Sequence, residues 1–222
     1  MPCNIISLPL TTPQKNWRFL MKSWLMRLLL VCSIISSLNA ATVVESLDAE
    51  NPQVKFITNK GEFIVELFPQ KAPITVANFK RYVNGAFYDG LIFHRVVRGF
   101  IIQSGGYNAE GEEKKTLAPI INESSRLLPN TKWSIAMARD EDPNSATSQF
   151  YINIKSNKNL NVKKGKDGYT VFGRVIKGIN VIQAIEKVEV SPDLYLGKHR
   201  PVDDVIIIRA RVIRKVELPK FN

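Results

Sequence analysis

Short runs of strand-forming residues, each bounded by turn formers, recur along most of this chain and constrain its fold more than any other feature. The final run, DVIIIRARVIRKVEL, alternates Ile206, Ile208 and Val212 with charged residues, so one of its faces is expected to point inward and the other outward. Many antiparallel strands leave edges that must be closed, and we therefore expect a mainly β protein built as a barrel. The predicted strands are VKFIT (54–58), EFIVELF (62–68), IFHRVV (92–97), FIIQSG (100–105), WSIAMA (133–138), QFYINI (149–154), YTVFGRVI (169–176) and DVIIIRARVIRKVEL (204–218).

Two segments have helical rather than strand periodicity. From APITVANFKRYVNG onward, Val76, Phe79, Val83 and Phe87 recur at spacings of three and four residues, and the helix is expected to end near Gly85. In GINVIQAIEKV the same spacing places three isoleucines on one face. They are Ile179, Ile182 and Ile185, and Val181 and Val188 flank this face. We therefore expect two helices that cap the barrel.

The first forty residues have the pattern of an export signal. Lys22 and Arg27 precede the apolar run LLLVCSIISSL (28–38), and small residues follow, with cleavage expected after Ala40. About eleven apolar residues are too few to cross a bilayer of ~30 Å as a helix, which favours a removable signal over a permanent anchor. Met21 is an alternative start of translation.

This pattern divides the chain into a signal peptide at residues 1–40, a short polar tether at 41–51 and one domain at 52–218. Both cysteines, Cys3 and Cys32, fall within the signal segment. The mature chain therefore has no thiol with which to form a disulfide, which suits an oxidising compartment.

The net charge of +11 reflects 31 basic and 20 acidic residues. The signal segment holds four of the basic residues and no acid, so its removal leaves +7. The basic segment KKGKDG (163–168) has few aromatic neighbours, which argues against a nucleic-acid surface and for a solvated loop. An interaction protein that binds acidic partners is an open alternative, and its binding would depend strongly on salt.

Few residues of the mature chain can perform metal or covalent chemistry. Its histidines are His94 and His199, and no cysteine completes a ligand set, so no metal is expected. The segment IQSGG lacks the glycine that a nucleophile elbow has two residues before its serine, and no phosphate-cradling glycine loop is present, so no cofactor is expected. What remains is a site made from one cation, a few amides and aromatic walls.

The stretch FHRVVRGFIIQSGG (93–106) supplies a cation and an amide. Strand alternation puts Arg95 on the face opposite His94. Gly99 breaks the strand, after which Phe100 and Gln103 can face the same cleft as Arg95. The residues alone favour a second interpretation, in which Arg95 is a surface charge and Phe100 is a core residue.

Three stretches together resemble the cyclophilin family of peptidyl-prolyl cis-trans isomerases, and they occur in the order and spacing of that family. The likeness covers residues 53–217 and is greatest to the exported bacterial members. It implies a closed eight-stranded antiparallel β-barrel with a helix at each end, and a role in the folding of exported proteins in the periplasm. The stretches are FHRVVRGFIIQSGG (93–106), IAMARDEDPNSATSQFYI (135–152) and YTVFGRVIKG (169–178).

The resemblance also implies roles for individual residues. Arg95 is the catalytic cation, and Gln103 orients it and binds the substrate backbone, with no cofactor or metal. The substrates are proline-containing peptides or unfolded chains, and the protein is expected to act as a monomer without nucleic acid or a membrane span. The substrate-binding residues implied are Phe100, Ile101, Ala138, Arg139, Gln149, Tyr151, Leu160 and Tyr169, of which Ala138 and Arg139 act through their backbone.

The alternative function is a module that binds proline segments, or a holdase-type chaperone, with little turnover. Such a protein would be expected to have lost the catalytic arginine, whereas Arg95 is present.

Three positions depart from the family pattern. Tyr151 stands where phenylalanine is usual and adds a hydroxyl at the pocket edge. Arg98 precedes Gly99 where the family has proline, which frees one backbone dihedral and adds a charge at the rim. Asn159 stands where tryptophan or phenylalanine contacts the inhibitor cyclosporin, so we expect weak inhibition.

Overall fold

The computed structural model describes residues 51–213 of the 222-residue chain. The predicted signal peptide, nearly all of the predicted tether and the end of the predicted last strand lie outside this range. None of the helices within it has the length and apolar character needed to cross a membrane. The described elements are β1 (Gln53–Thr58), β2 (Gly61–Leu67), α1 (Pro73–Asn84), β3 (Arg95–Val97), β4 (Ile101–Ser104), β5 (Ser134–Met137), β6 (Phe150–Asn153), a 3₁₀ turn (Lys158–Leu160), β7 (Val171–Lys177), α2 (Ile179–Glu186), β8 (Val190–Asp193), β9 (Gly197–Pro201) and β10 (Ile207–Ile213).

Eight strands form one antiparallel sheet in the order β10-β1-β2-β7-β5-β6-β4-β3. The sheet is an open, strongly curled half-barrel, so the prediction of a closed barrel is wrong. Among residues 51–213 the edge strands β3 and β10 share no ladder, and a single bridge between Ile92 and Ile206 joins the segments that precede them. The barrel stays open because residues 90–93, which precede β3, make the backbone hydrogen bonds to residues 205–207, at and just before the start of β10. The strand β3 itself then ends at a turn after only three residues.

The face assignment of the last strand is also corrected. Ile208 and Val212 are exposed, whereas Ile207 and Ala210 are buried. Ile57 pairs with Arg209 and Thr58 pairs with Ile207, so Ile208 is the extra residue of a β-bulge. Because a bulge shifts the alternation by one residue, the simple period of two does not hold along β10.

Both predicted helices are confirmed. Pro73 opens α1, where its missing N–H removes no hydrogen bond, and the helix ends where predicted. Gly178 precedes α2 with φ of +80°, and a Cβ there would collide with the backbone of β2. The face of α2 differs from the prediction in one residue, because Ile179 is exposed and Val181 is buried instead.

Apolar side chains are buried on both faces of the sheet. The face that packs against the two helices carries an aromatic core, in which the rings of Phe79 and Phe150 meet edge to face at 5.7 Å. The opposite face carries a smaller cluster built on Ile101, Ala136 and Tyr151. Because neighbouring residues of a strand point to opposite faces, one stretch of sequence supplies both the core and the floor of an outer pocket.

A two-stranded hairpin of β8 and β9 lies outside the main sheet and was not predicted. Its tip exposes Leu194 and Tyr195, and Asp193 caps the turn by accepting the Tyr195 and Leu196 N–H groups at 2.8 Å each. The sequence predicts a loop here because it contains Pro192 in β8 and Pro201 at the end of β9, and proline cannot donate a hydrogen bond to a ladder.

Candidate active site

Nine of the ten predicted site residues surround one cavity of about 390 Å³. The cavity lies over the smaller apolar cluster on the face of the sheet opposite the helices. Three neighbouring strands supply its floor, because β4 pairs with both β3 and β6. Its lining is Arg95, Phe100, Ile101, Gln103, Ala138, Arg139, Tyr151, Leu160 and Tyr169.

Arg95 is held at the mouth of the cavity by a chain of amides. Its Nη1 donates to Gln103 Oε1 at 3.1 Å, and Gln103 Nε2 donates to Gln149 Oε1 at 2.9 Å. Arg95 and Gln103 are direct cross-strand partners, so the sheet register fixes this contact. Gln149, the tenth predicted residue, is thus joined to the cavity through Gln103 rather than lining it.

The guanidinium of Arg95 has no acidic partner among the residues that the structure describes, since none of the ion pairs there includes it. The side chain is half-buried, whereas His94 and Val96 on either side of it are buried. The predicted alternation is therefore confirmed. An unpaired cation beside an apolar floor is available to donate to a bound ligand.

The apolar walls of the cavity are aromatic and aliphatic. Tyr151 is buried at the floor, and its ring meets that of Tyr169 edge-on at 5.9 Å. Phe100 and Leu160 pack against the same cluster while remaining partly exposed. This combination suits a small apolar ring entering from solvent.

The hydroxyl of Tyr151 is not at the pocket edge, as the sequence suggested, but lies beneath the floor. It donates to Asn130 Oδ1 at 2.8 Å in a buried contact. Burial, followed by the nearby Tyr169, raises the pKa of Tyr151 well above its usual range, so the hydroxyl keeps its proton. The departure from phenylalanine therefore adds a structural bond rather than a substrate contact.

Asn130 is the residue that sequence reasoning missed. It is 2% exposed, and besides accepting from Tyr151 it donates through Nδ2 to the carbonyls of Leu160 at 3.2 Å and Tyr169 at 3.4 Å. One asparagine thus connects three walls of the cavity. It lies in the loop LLPNTKW, where no periodicity distinguishes a buried polar residue from an exposed one.

Arg139 closes the side of the cavity next to Tyr169. Its guanidinium lies 4.6 Å from the centre of that ring and donates to the carbonyls of Asp140 at 2.8 Å and Asp167 at 3.2 Å. The N–H of Ala138 donates to the Gln149 carbonyl at 2.9 Å. That N–H is therefore committed within the fold, and a ligand backbone would meet the carbonyl of Ala138.

A second cavity of about 560 Å³ adjoins the first and shares Gln103, Ala138 and Arg139 with it. It is bordered by Gln149 and by part of the loop 139–148, as predicted for a neighbouring subsite. Burial, and then the nearby Glu113, raise the pKa of Tyr107 at its edge. The shared residues place the two cavities side by side, as two neighbouring subsites of an extended ligand require.

His94 is buried behind Arg95 and takes no part in the groove. Its Nδ1 is the buried atom of the ring without a hydrogen-bond partner among the described residues, and the ring meets Tyr107 edge-on at 4.9 Å. Burial, and then the charge of Arg95, lower the pKa of His94 to about 4. It is therefore neutral at physiological pH and supplies no proton to the site.

The two other departures noted in the sequence both lie at the surface. Arg98 is exposed at the turn between β3 and β4, and Asn159 is exposed in the 3₁₀ turn next to Leu160. The turn at Arg98 is closed by a hydrogen bond of 2.9 Å from the Phe100 N–H to the Val97 carbonyl.

Comparisons with known proteins agree on one family. Residues 53–212 match the family model described as cyclophilin type peptidyl-prolyl cis-trans isomerase/CLD. A peptidyl-prolyl cis-trans isomerase of Acinetobacter baylyi is 46% identical over 164 residues, which are 73% of this chain and 86% of that protein. Peptidyl-prolyl cis-trans isomerase B of Escherichia coli is 42% identical over 160 residues, covering 69% of this chain and 95% of that protein.

Solved structures show the same likeness. A cyclophilin type peptidyl-prolyl cis-trans isomerase of Cryptosporidium parvum, crystallised in the presence of the dipeptide Ala-Pro, superimposes with a TM-score of 0.61 at 28% identity. The match covers 73% of this chain and 99% of that one.

Proposed function

The chain belongs to the cyclophilin-type peptidyl-prolyl cis-trans isomerase family and is a peptidyl-prolyl cis-trans isomerase, and on this premise we propose that the cavity lined by Arg95, Phe100 and Tyr151 is its active site. One observation carries the proposal: a guanidinium without a carboxylate partner among residues 51–213 lines a cavity that has an apolar floor.

Rotation about an X-Pro bond is slow because amide resonance gives its C–N bond partial double-bond character. The barrier is about 18–20 kcal/mol, and the uncatalysed reaction takes about 10–100 s. In the twisted transition state this resonance is lost, and the prolyl nitrogen regains a lone pair that can accept a hydrogen bond. A catalyst needs only to stabilise that nitrogen, and no proton has to be transferred.

Arg95 is the donor that we assign to this step. A hydrogen bond from its guanidinium to the prolyl nitrogen forms only when the bond is twisted, so it stabilises the transition state more than either ground state. Gln103 holds the guanidinium at 3.1 Å and is placed to meet the substrate backbone. Each ~1.36 kcal/mol of preference for the transition state corresponds to a tenfold rate increase.

The ring of the substrate proline fits against the apolar floor. Tyr151 lies at this floor, Phe100 and Leu160 form walls beside it, and the contact is present throughout the reaction. The residues that precede the proline extend toward the second cavity, past Ala138 and Gln149. The substrate is therefore a proline-containing peptide segment, as in an unfolded chain.

Replacing Arg95 with alanine tests this assignment. A charge-assisted hydrogen bond of about 1.5–3 kcal/mol is lost, so kcat/KM for an Ala-Pro peptide is expected to fall by about tenfold to a hundredfold. Thermal stability is expected to change little, because the Arg95 side chain is half-buried and has one hydrogen-bond partner within residues 51–213. The matched control is Arg98→Ala, which removes an exposed arginine outside the cavity. Both variants are assayed with an uncharged peptide, so that a change in surface charge does not alter its binding.

The competing function is a module or holdase that binds proline segments with little turnover. It predicts equal isomerisation rates for the wild type and Arg95→Ala, measured by a protease-coupled assay. A second rival is an interaction protein that binds acidic partners through its net positive charge. It predicts that binding weakens steeply as the salt concentration rises, whereas binding of a proline peptide that salt barely alters would argue against it.

For the cellular role, we propose that the protein is exported to the periplasm and assists the folding of exported chains there. The supporting feature is the signal pattern of Lys22, Arg27 and the apolar run 28–38. Sequencing the N-terminus of the protein from a periplasmic fraction is the test, and a new terminus at Ala41 is expected. Recovery of the chain only from the cytosol, with Met1 or Met21 intact, would refute export.

A further inference from the structure

The turn between β3 and β4 joins the strand of the catalytic cation to a wall of the proline pocket. The Phe100 N–H donates to the Val97 carbonyl at 2.9 Å and Gly99 has φ of +66°, which are the features of a type II turn. Proline is common at the second position of such a turn because its ring fixes φ near −65°. In this chain that position is Arg98, whose φ is not fixed by a ring.

A carboxylate from a distant part of the sequence holds this turn. The Gly99 N–H donates to Glu186 Oε1 at 2.9 Å. Glu186 is the last residue of α2, and this helix packs against β3 and β4. A hydrogen bond from an amide to an ionised carboxylate is stronger than one between neutral groups. The contact is therefore a fixed link between the helix and the turn.

The position of Glu186 on its helix gives a second reason to assign it a role. A negative charge at the C-terminal end of a helix opposes the helix dipole and destabilises the helix slightly. The last turn of α2 itself contains no basic residue, and the nearest one, Lys187, follows Glu186 as the C-cap residue. The helix dipole therefore gives this carboxylate no stabilisation, and its hydrogen-bond partner is the turn.

Phe100 is anchored on its other side as well. Its carbonyl accepts hydrogen bonds from the Ile154 N–H and from Asn157 Nδ2, both at 2.9 Å. These contacts fix the end of the turn, and the contact with Glu186 fixes its glycine. The backbone that carries this wall of the pocket is therefore held on both sides, and on the side of the turn the Gly99 N–H donates to Glu186 of α2.

We propose that Glu186 is a positioning residue of the isomerase, which restrains the Gly99 amide by a hydrogen bond where a proline at position 98 would restrain the turn by its ring. This inference rests on the proposed function, because it requires Phe100 to contact the substrate proline. Phe100 makes that contact in the ground and transition states alike, so loss of the tether raises KM more than it lowers kcat.

The test is a set of variants assayed with an Ala-Pro peptide: Glu186→Ala, Glu186→Gln, Arg98→Pro and the double variant Arg98→Pro/Glu186→Ala. Loss of one charge-assisted hydrogen bond predicts that Glu186→Ala lowers kcat/KM by about three- to tenfold, mainly through KM. Glu186→Gln is expected to lose less, because its amide oxygen still accepts the Gly99 N–H. The matched control is Glu189→Ala, an exposed carboxylate just beyond the same helix.

Rescue by proline separates positioning from general damage. Val97 lies in a strand, the conformation that proline requires of the residue before it, and the Arg98 N–H donates no backbone hydrogen bond among the described residues. Arg98→Pro is therefore expected to restore kcat/KM of Glu186→Ala to within about twofold of the wild type, by the logic of a double-mutant cycle. Hydrogen exchange at Gly99 should become fast in both Glu186→Ala and the double variant.

Two outcomes would overturn the proposal: kcat/KM of Glu186→Ala equal to that of Glu189→Ala, or a loss of activity that Arg98→Pro does not restore. Failure of the proposed function has a different signature, since Arg95→Ala would then retain the wild-type rate. If Arg95→Ala is impaired while Glu186→Ala is not, the positioning role alone is wrong.

Discussion

The hydrogen bond between Tyr151 and Asn130 can be tested by removing either partner. Asn130 Oδ1 accepts from the Tyr151 hydroxyl at 2.8 Å and from Asn153 Nδ2 at 3.2 Å. In Tyr151→Phe the asparagine oxygen keeps its second donor, so no buried group is left without a partner. The expected loss is therefore that of one ordinary hydrogen bond, about 0.5–1.5 kcal/mol of unfolding free energy. For a domain of this size this lowers Tm by about 2–4 °C per kcal/mol.

Asn130→Ala is expected to be more harmful, because the buried Tyr151 hydroxyl then has no acceptor and the Tyr169 carbonyl loses its donor. The Leu160 carbonyl loses one of two donors and keeps the Tyr169 N–H at 3.0 Å. An unsatisfied buried group costs about 1–3 kcal/mol, and with the lost bonds we expect a loss of about 3–4 kcal/mol. The double variant Tyr151→Phe/Asn130→Ala removes the hydroxyl together with its acceptor, so no unpaired hydroxyl remains. It should be less destabilised than the sum of the single variants, with a coupling of about 1–2 kcal/mol.

Urea unfolding followed by tryptophan fluorescence measures these free energies, with a protease-coupled assay for kcat/KM alongside. Tyr195→Phe is the matched control, since its hydroxyl is on an exposed hairpin tip and its loss should have little effect. Activity of Tyr151→Phe should stay within about twofold of the wild type, because the hydroxyl lies beneath the floor. A Tyr151→Phe variant as stable as the wild type, together with strictly additive effects, would refute the assigned network.

Two further predictions concern pH and inhibition. The pKa of His94 is about 4 in the folded protein and near 6.5 in the unfolded chain. Between these pH values only the unfolded chain binds a proton at His94, so acid favours unfolding. The contribution of neutral His94 to the unfolding free energy is complete above about pH 6.5, and up to about 3 kcal/mol of it is lost towards pH 4. Denaturant unfolding across this range should show the decline in the wild type but not in His94→Phe, and an equal decline in both would contradict the assignment. Because Asn159 is exposed beside the pocket and offers no large apolar surface, cyclosporin should inhibit weakly and Asn159→Trp should bind it at least about tenfold more tightly. Submicromolar inhibition of the wild type would show this expectation to be wrong.

The secondary structure was largely predictable because its periodicities are strong. Val76, Phe79 and Val83 mark the buried face of α1, and alternation around Arg95 assigns it to the face opposite His94. The bulge at Ile208 was not predictable, since an extra residue in a ladder depends on its partner strand and leaves no local signal. The same applies to closure of the sheet, which depends on where two distant edges meet.

Family likeness predicted which residues line this cavity, but it did not predict the residues that hold the lining in place. The ten residues predicted for the site lie in or near recognisable family motifs, and nine of them surround one cavity. Asn130 and Glu186 act through hydrogen bonds to backbone atoms far away in sequence. A polar residue in a loop and an acid at a helix end both resemble surface residues until the fold brings their partners to them.

The pairing of β1 with β10 has a mechanical consequence for this domain. Gln53 lies opposite Ile213, so the two ends of the described chain leave the sheet at the same end of an antiparallel pair. A force that pulls these ends apart loads the ladder one hydrogen bond at a time, as in opening a zipper, rather than shearing all of its bonds together. The domain should therefore unravel under low tension from its ends, even where its resistance to heat or denaturant is high.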